Sequence, residues 1–72
     1  MKTSTLRQLW VVIHEMPTGL LLLLSDIELI QRLLHTLSHS HTLTFEEKNA
    51  VRAYLYNKLP LIRDLAESRL VA

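Results

Sequence analysis

The segment from Gly19 to Ser38 is the most apolar part of the sequence and contains nine leucines and two isoleucines. On a helical wheel at about 100° per residue, its apolar side chains cover an arc of roughly 200°. A helix that packs on one neighbour needs an arc of only roughly 100°. The segment is therefore predicted to be a central helix with neighbours on two sides, one of which can belong to a second molecule. The arc comprises Leu20, Leu23, Leu24, Ile27, Ile30, Leu34 and Leu37, widened by Leu22, Leu29 and Leu33.

The length and composition predict one small helical domain over residues 1–72, with residues 1–4 as a frayed tail. A chain of this size buries only about 60% of its unfolded surface, so it needs disulfides, a metal, oligomerisation or very good helix packing. Cysteine is absent, which excludes disulfides and thiolate metal sites. One Gly, two Pro and a dominance of Leu favour helices. We predict an all-α bundle of three to four helices, completed by homodimerisation.

The charge balance argues against a strongly basic or membrane-bound protein. Charged residues make up 21% of the chain, hydrophobic residues 49%, and the formal net charge is +1. This charge is too small to indicate a nucleic-acid or anionic-membrane partner, and it leaves little self-repulsion between copies. Pro17, Thr18 and Gly19 interrupt the apolar runs, so no membrane span is expected. The lack of cysteine fits a reducing compartment, and the predicted location is cytoplasmic.

The first helix is predicted to start at a Ser4 or Thr5 cap and to run to about Met16. Pro17 ends it, because proline lacks an N–H and disfavours helical geometry in the preceding residue. Trp10 falls on the apolar face, where a buried indole N–H needs a hydrogen-bond partner.

The second helix has two plausible starts. Thr18 can cap it, or Ser25 can cap a fresh helix, because Ser25 and Glu28 have the spacing of a capping box. The apolar positions stay in phase across Ser25, which favours a nearly continuous helix to about Leu37.

The third helix is predicted to begin at Phe45, after a polar linker and a second capping box formed by Thr44 and Glu47. Pro60 should kink or break this helix. The apolar phase survives the proline, which favours a kinked continuation to about Leu70. The inward positions are Val51, Tyr54 and Leu55, whereas Glu46, Lys48, Asn49, Arg52 and Asn57 are predicted to point outward.

Histidine supplies the only pattern with metal-ligand spacing. His35 and His39 are four residues apart, which can bring two imidazoles to one helical face, and His41 lies nearby. No Cys or acidic residue accompanies them, and the surrounding Ser-His-Ser-His composition is typical of a loop. We therefore predict solvated histidines, with no metal ligand, no cofactor-binding residue and no bound cofactor.

Catalytic activity is not predicted, and no catalytic residue is assigned. A single glycine excludes a glycine-rich phosphate loop. General acid–base chemistry needs groups that converge in a dry cleft, and a bundle of this size has little room for one.

Nucleic-acid binding is the alternative function. Residues 25–38 and 44–58 resemble a helix-turn-helix, and Lys48, Asn49 and Arg52 on its second helix are residue types that contact phosphates and base edges. The linker is longer than the usual turn of about 3–4 residues. Glu46 and Glu47 would also meet the DNA, and a basic footprint is missing.

Protein association is the primary function that we predict. The apolar arc, the near-neutral charge and the small size all favour an apolar interface, most simply a two-fold homodimer. The predicted function is a small non-enzymatic helical protein–protein interaction module, an adaptor or regulatory subunit that can also bind an unidentified protein. The predicted interface residues are Leu22, Ile30, Leu33 and Leu37.

Overall fold

The computed structural model describes residues 1–71. They form four helices in chain order, α1 (Thr3–Glu15), α2 (Thr18–Leu23), α3 (Asp26–Ser40) and α4 (Phe45–Val71), and no strand occurs among them. The prediction of an all-α fold with three to four helices is confirmed. The molecule measures 37 × 20 × 19 Å. At about 1.5 Å per residue, α4 alone is about 40 Å long and spans the long axis.

Helix α4 is the scaffold on which the other elements assemble. Both α2 and α3 pack against α4, and α1 packs on α3. The core is apolar throughout, and within residues 1–71 Thr5 is the only buried polar side chain. The fully or nearly buried side chains are Leu9, Val12, Ile13, Met16, Leu21, Leu29, Ile30, Leu33, Leu34, Leu37, Val51, Leu55, Leu59, Ile62 and Ala66.

Helix α1 begins earlier than the sequence predicts. It starts at Thr3 after an extended Lys2 and has no side-chain cap, so neither Ser4 nor Thr5 caps it and residues 3 and 4 are helical. Thr5 is instead buried, and its hydroxyl lies 3.5 Å from the Glu47 carboxylate on α4. The helix ends at Glu15, as expected one residue before the extended Met16 that precedes proline.

The apolar stretch is not one nearly continuous helix, because the chain breaks at Leu24 and Ser25. Both residues have extended backbone geometry. The Glu28 N–H donates to Ser25 Oγ at 3.2 Å, and Ser25 Oγ donates to Glu28 Oε1 at 2.7 Å. The capping box therefore starts a fresh helix. The break separates the phases of α2 and α3, which leaves Leu23 86% exposed and Ile27 59% exposed, although the wheel grouped both with buried leucines.

The second capping box is confirmed at the start of α4. The Glu47 N–H donates to Thr44 Oγ1 at 3.1 Å, and the Thr44 N–H donates back to Glu47 Oε1 at 3.3 Å. The bond from the Thr44 backbone holds the pKa of the Glu47 carboxyl below its usual range. This box sets the start of the longest helix in the molecule.

Helix α4 continues through Pro60 to Val71, so the proline does not break it. Pro60 is exposed, as are its helical neighbours Tyr56 and Asn57. The hydrogen bond that Pro60 cannot donate would have gone to the Tyr56 carbonyl one turn earlier. Because that carbonyl lies on the exposed side of the helix, its lone pairs are not buried in the core. A proline is therefore tolerated here at lower cost than in a buried turn.

Long-range polar contacts attach α1 and α2 to α4. The Trp10 indole N–H donates to Tyr54 Oη at 2.9 Å, which supplies the partner predicted for this indole. Arg63 donates to the Leu21 carbonyl at 2.7 Å and pairs with Asp26 at 2.8 Å. The Trp10–Tyr54 hydrogen bond attaches α1 to α4. The two Arg63 contacts hold the end of α2 and the start of α3 against the second half of α4.

Candidate functional site

The predicted interface on the central helix is largely core. Leu33 and Leu37 are fully buried, Ile30 is 2% exposed, and Leu22 is half-buried against the same core. Helices α1 and α4 both pack on α3 and cover its apolar side within one chain. The structure thus corrects the assignment of Ile30, Leu33 and Leu37 to a surface, because a partner molecule cannot reach them in the folded chain.

The surface that stands out instead is the middle of α4 on the side away from the core. We call it the outer face of α4. Its side chains lie at the spacing i, i+3, i+4, i+7 and i+8, all are exposed, and none carries a formal charge. Tyr56 is 48% exposed and Leu61 is 45% exposed. The outer face consists of Ala53, Tyr56, Asn57, Pro60 and Leu61.

Pro60 removes the usual hydrogen-bond donor from one carbonyl of the outer face. Inside an α-helix each carbonyl accepts from the N–H four residues on, and proline has no N–H. The Tyr56 carbonyl therefore lacks its usual intrahelical donor. An exposed tyrosine ring, an exposed leucine and this carbonyl together form a surface that can pack and also accept a hydrogen bond.

Charged residues flank the outer face. Arg52 lies one turn before Tyr56 and Glu67 lies seven residues after Pro60, and both are exposed. Arg52 donates to the Asn49 side chain at 2.9 Å. Within residues 1–71 the only ion pair is Arg63–Asp26, so neither Arg52 nor Glu67 is paired with an opposite charge in its own chain.

The periodicity of apolar residues does not identify the outer face, because the face is distinguished by its lack of charge. A scan for uncharged residues on the side of α4 opposite Val51 and Leu55 would have found it. Exposed sides of surface helices are normally charged or polar.

A second feature is a recess of about 300 Å³ between α3 and α4. It brings together two of the three residues predicted for nucleic-acid contact, Lys48 and Arg52, with Asn49 beside them as the hydrogen-bond acceptor of Arg52. No acidic residue lines this recess, so its charge is positive. The lining residues are Gln31, Leu34, His35, Ser38, Lys48 and Arg52.

The connection between α3 and α4 is shorter than the sequence indicates. Helix α3 continues to Ser40 rather than ending near Leu37, and α4 starts at Phe45. The turn is therefore residues 41–44, a length that falls within the usual range for a helix-turn-helix. This corrects one of the arguments against a nucleic-acid-binding motif.

The histidines lie partly together. His35 and His39 are both exposed on α3, with their Nε2 atoms 3.1 Å apart and their rings perpendicular. His41 follows the end of the helix in extended geometry. Within the described residues, no group of three or more His, Cys, Asp or Glu side chains is arranged to hold a metal ion.

Comparison with known proteins gives no match: no family model fits the sequence, and neither a curated protein nor a solved structure is significantly similar to the chain. Among residues 1–71, no helix combines the length and the apolar character needed to cross a membrane.

Proposed function

We propose that the chain is a small non-enzymatic helical interaction module that pairs with a second copy of itself through the outer face of α4. The observation that carries this proposal is the uncharged, exposed stretch in the middle of the longest helix.

The composition of the outer face resembles the centre of a protein interface. Such centres are depleted in charge and enriched in tyrosine, which offers a large amphipathic ring with few rotatable bonds. Tyr56 and Leu61 each keep nearly half of their surface accessible. Ala53 lies one turn before Tyr56 and Asn57, and its small side chain allows close approach of a second backbone. Docking on this face would remove the apolar surface of Tyr56 and Leu61 from water. An exposed charge, Asp64, follows Pro60 by one turn on the same side of α4 and would lie beside the contact.

The charges at the two ends of the face favour a second copy in antiparallel orientation. Arg52 and Glu67 lie eight and seven residues from Pro60 on opposite sides of it. On a wheel at about 100° per residue they fall within about 60° of each other, on the Tyr56 side. In an antiparallel pair of α4 helices centred at Pro60, Arg52 of each copy is level with Glu67 of the other. A two-fold axis makes this contact twice.

The test is a charge exchange measured by sedimentation equilibrium over a range of protein concentrations. We expect a concentration-dependent dimer for the natural chain and at least a tenfold weaker association for Arg52→Glu or Glu67→Arg, because each places like charges together. The double exchange, Arg52→Glu with Glu67→Arg, should restore association. Tyr56→Asp should give a folded monomer.

Arg7→Glu is the matched control, since Arg7 is exposed on α1 and lies outside the outer face. It should leave the association unchanged, and circular dichroism should show that every variant remains helical. A natural chain that is monomeric at all concentrations would refute the proposal. Failure of the double exchange to restore association would refute the antiparallel arrangement.

The alternative function, a small helix-turn-helix-like nucleic-acid-binding regulator, is favoured by the positive recess and the four-residue turn. Lys48 and Arg52 lie on adjacent turns of α4 beside the recess, and Asn49 is next to them. Such side chains can contact phosphates and base edges. Glu46 and Glu47 in the first turn of the same helix oppose a phosphate backbone, which is why this function remains second.

The alternative predicts binding to duplex DNA at low salt that weakens steeply as salt increases. The substitution Lys48→Gln should reduce this binding and leave self-association unchanged, because Lys48 lies beside the recess and outside the outer face. Fluorescence anisotropy with a labelled random duplex measures both effects. Absence of binding at low salt would exclude the alternative.

A further inference from the structure

The exposed side of α3 carries two imidazoles whose nitrogens almost touch. The Nε2 atoms of His35 and His39 are 3.1 Å apart, and the ring centroids are 4.5 Å apart. The two residues are one helical turn apart on a well-formed helix, so the backbone sets their spacing. Both residues are exposed, so an ion in solution can reach them.

This distance matches the separation of two nitrogens that bind one metal ion. Metal–nitrogen bonds of about 2.0–2.1 Å, meeting at angles of about 90–110°, place the two nitrogens about 2.8–3.4 Å apart. A single N–H···N hydrogen bond between the rings gives a similar distance, so an ion can replace the shared proton with little movement of either side chain. The two rings are thus already arranged as a chelate.

We propose that His35 and His39 form a two-ligand site for a divalent transition-metal ion, with Cu²⁺ bound most tightly. Imidazole is a good ligand for Cu²⁺, Ni²⁺ and Zn²⁺, and affinities for a given set of nitrogen ligands peak at Cu²⁺. No third His, Cys, Asp or Glu among residues 1–71 completes the set. The remaining positions are therefore filled by water or by a small anion, which differs from a closed structural zinc site.

The neighbouring charges weaken the binding of any divalent ion, so only an ion with a high intrinsic affinity for imidazole is expected to bind well. Arg32 lies one turn before His35 on α3, and Lys48 and Arg52 lie across the recess that His35 lines. These three cations repel a divalent ion, and Glu28 is the nearest acidic residue on the same side of α3. The same cations attract an anion into the open coordination positions, so chloride or phosphate can act as a co-ligand.

The bound ion would link two consecutive turns at the end of α3. Because both ligands are held in this geometry only when the helix is formed, the ion binds the folded chain better than the unfolded one. Arg52 is shared between the recess beside His35 and the proposed dimer contact, but Tyr56 does not line that recess. The variant Tyr56→Asp therefore tests metal binding independently of self-association.

The experiment uses the full chain without a histidine tag, titrated with CuCl₂ or ZnCl₂ and followed by calorimetry and by thermal unfolding. We expect one Cu²⁺ per chain, weaker binding of Zn²⁺, and a rise in melting temperature at saturating Cu²⁺. His35→Gln and His39→Gln should each lower the Cu²⁺ affinity at least tenfold. Electron paramagnetic resonance of the natural chain should show two equivalent nitrogen ligands.

His41→Gln and His14→Gln are the matched controls, since both residues are exposed histidines outside the pair. Each should bind Cu²⁺ as the natural chain does, and so should the monomeric variant Tyr56→Asp. The proposal fails if His39→Gln binds Cu²⁺ as tightly as the natural chain, or if His41→Gln weakens binding equally. Cu²⁺ binding that survives in Tyr56→Asp, while the natural chain proves monomeric, would uphold the metal site and reject the proposed dimer.

Discussion

The substitution Leu33→Asp is expected to unfold the chain rather than to release a folded monomer. Leu33 is fully buried among apolar side chains on α3. A carboxylate there would have no partner, and an unpaired buried charge costs about 3–5 kcal/mol or more. Small domains have only about 0.05–0.15 kcal/mol of stability per residue, which is roughly 4–11 kcal/mol for this chain. The lost packing of a buried leucine adds about 2–5 kcal/mol to the cost, so the two effects together remove most or all of the stability. Far-UV circular dichroism at 25 °C should show loss of helix.

Leu23→Asp is the matched control, because it makes the same chemical change in the same leucine-rich segment. Leu23 is 86% exposed at the end of α2, so its replacement should alter the free energy of unfolding by no more than about 0.5 kcal/mol. A helical, cooperatively melting Leu33→Asp chain would show that the core of α3 is more open than the structure indicates.

The substitution Arg69→Met should have the second-largest effect, lowering the free energy of unfolding by about 2–3 kcal/mol. The Arg69 guanidinium donates to the carbonyls of Met16 and His14 at 3.0 and 3.3 Å, and lies 3.5 Å from Thr18 Oγ1. It thereby joins the end of α1 and the start of α2 to the last turns of α4. Methionine keeps most of the aliphatic stem and removes every donor, so the measured loss is that of the hydrogen bonds.

Urea denaturation of Arg69→Met, compared with Arg7→Met, measures this effect. Arg7 is exposed on α1, and its replacement should change the urea midpoint little. Equal midpoints for the two variants would mean that water solvates the α1 carbonyls as well as Arg69 does.

Local sequence signals predicted some helix boundaries where a side chain acts on its own backbone, although the predicted cap at Ser4 or Thr5 does not form. Thr44 and Glu47 were identified as a capping box and form one, and Pro17 ends α1 as expected. The box at Ser25 was equally visible in the sequence. The apolar positions, however, stay in phase across Ser25 and favour one nearly continuous helix. That expectation is wrong, because the capping box at Ser25 starts a separate helix.

The candidate surfaces also differ in how far the sequence alone could predict them. The proximity of His35 and His39 follows from their spacing on a helix, and the position of Lys48 and Arg52 on one side of α4 does too. The interface could not be predicted from periodicity. A helix with a wide apolar arc has the same sequence pattern whether the arc is covered by its own chain or by another chain. The outer face of α4 lies opposite the predicted inward positions Val51 and Leu55, so its direction is open to prediction, but only the structure shows that α2 and α3 pack elsewhere on α4 and leave it exposed.

The sequence by itself determined an all-helical chain, the end of α1 before Pro17, the start of α4 at the Thr44–Glu47 capping box, and the proximity of His35 and His39 on one side of a helix. These features depend on capping, proline geometry and spacing within a few residues, which act over one or two turns. Only the tertiary structure decided that Leu33 and Leu37 are core, and that Tyr56 and Pro60 face outward. The physical reason is that the burial of these side chains depends on how α4 packs across α3. Contacts between residues that are far apart in the chain determine this packing.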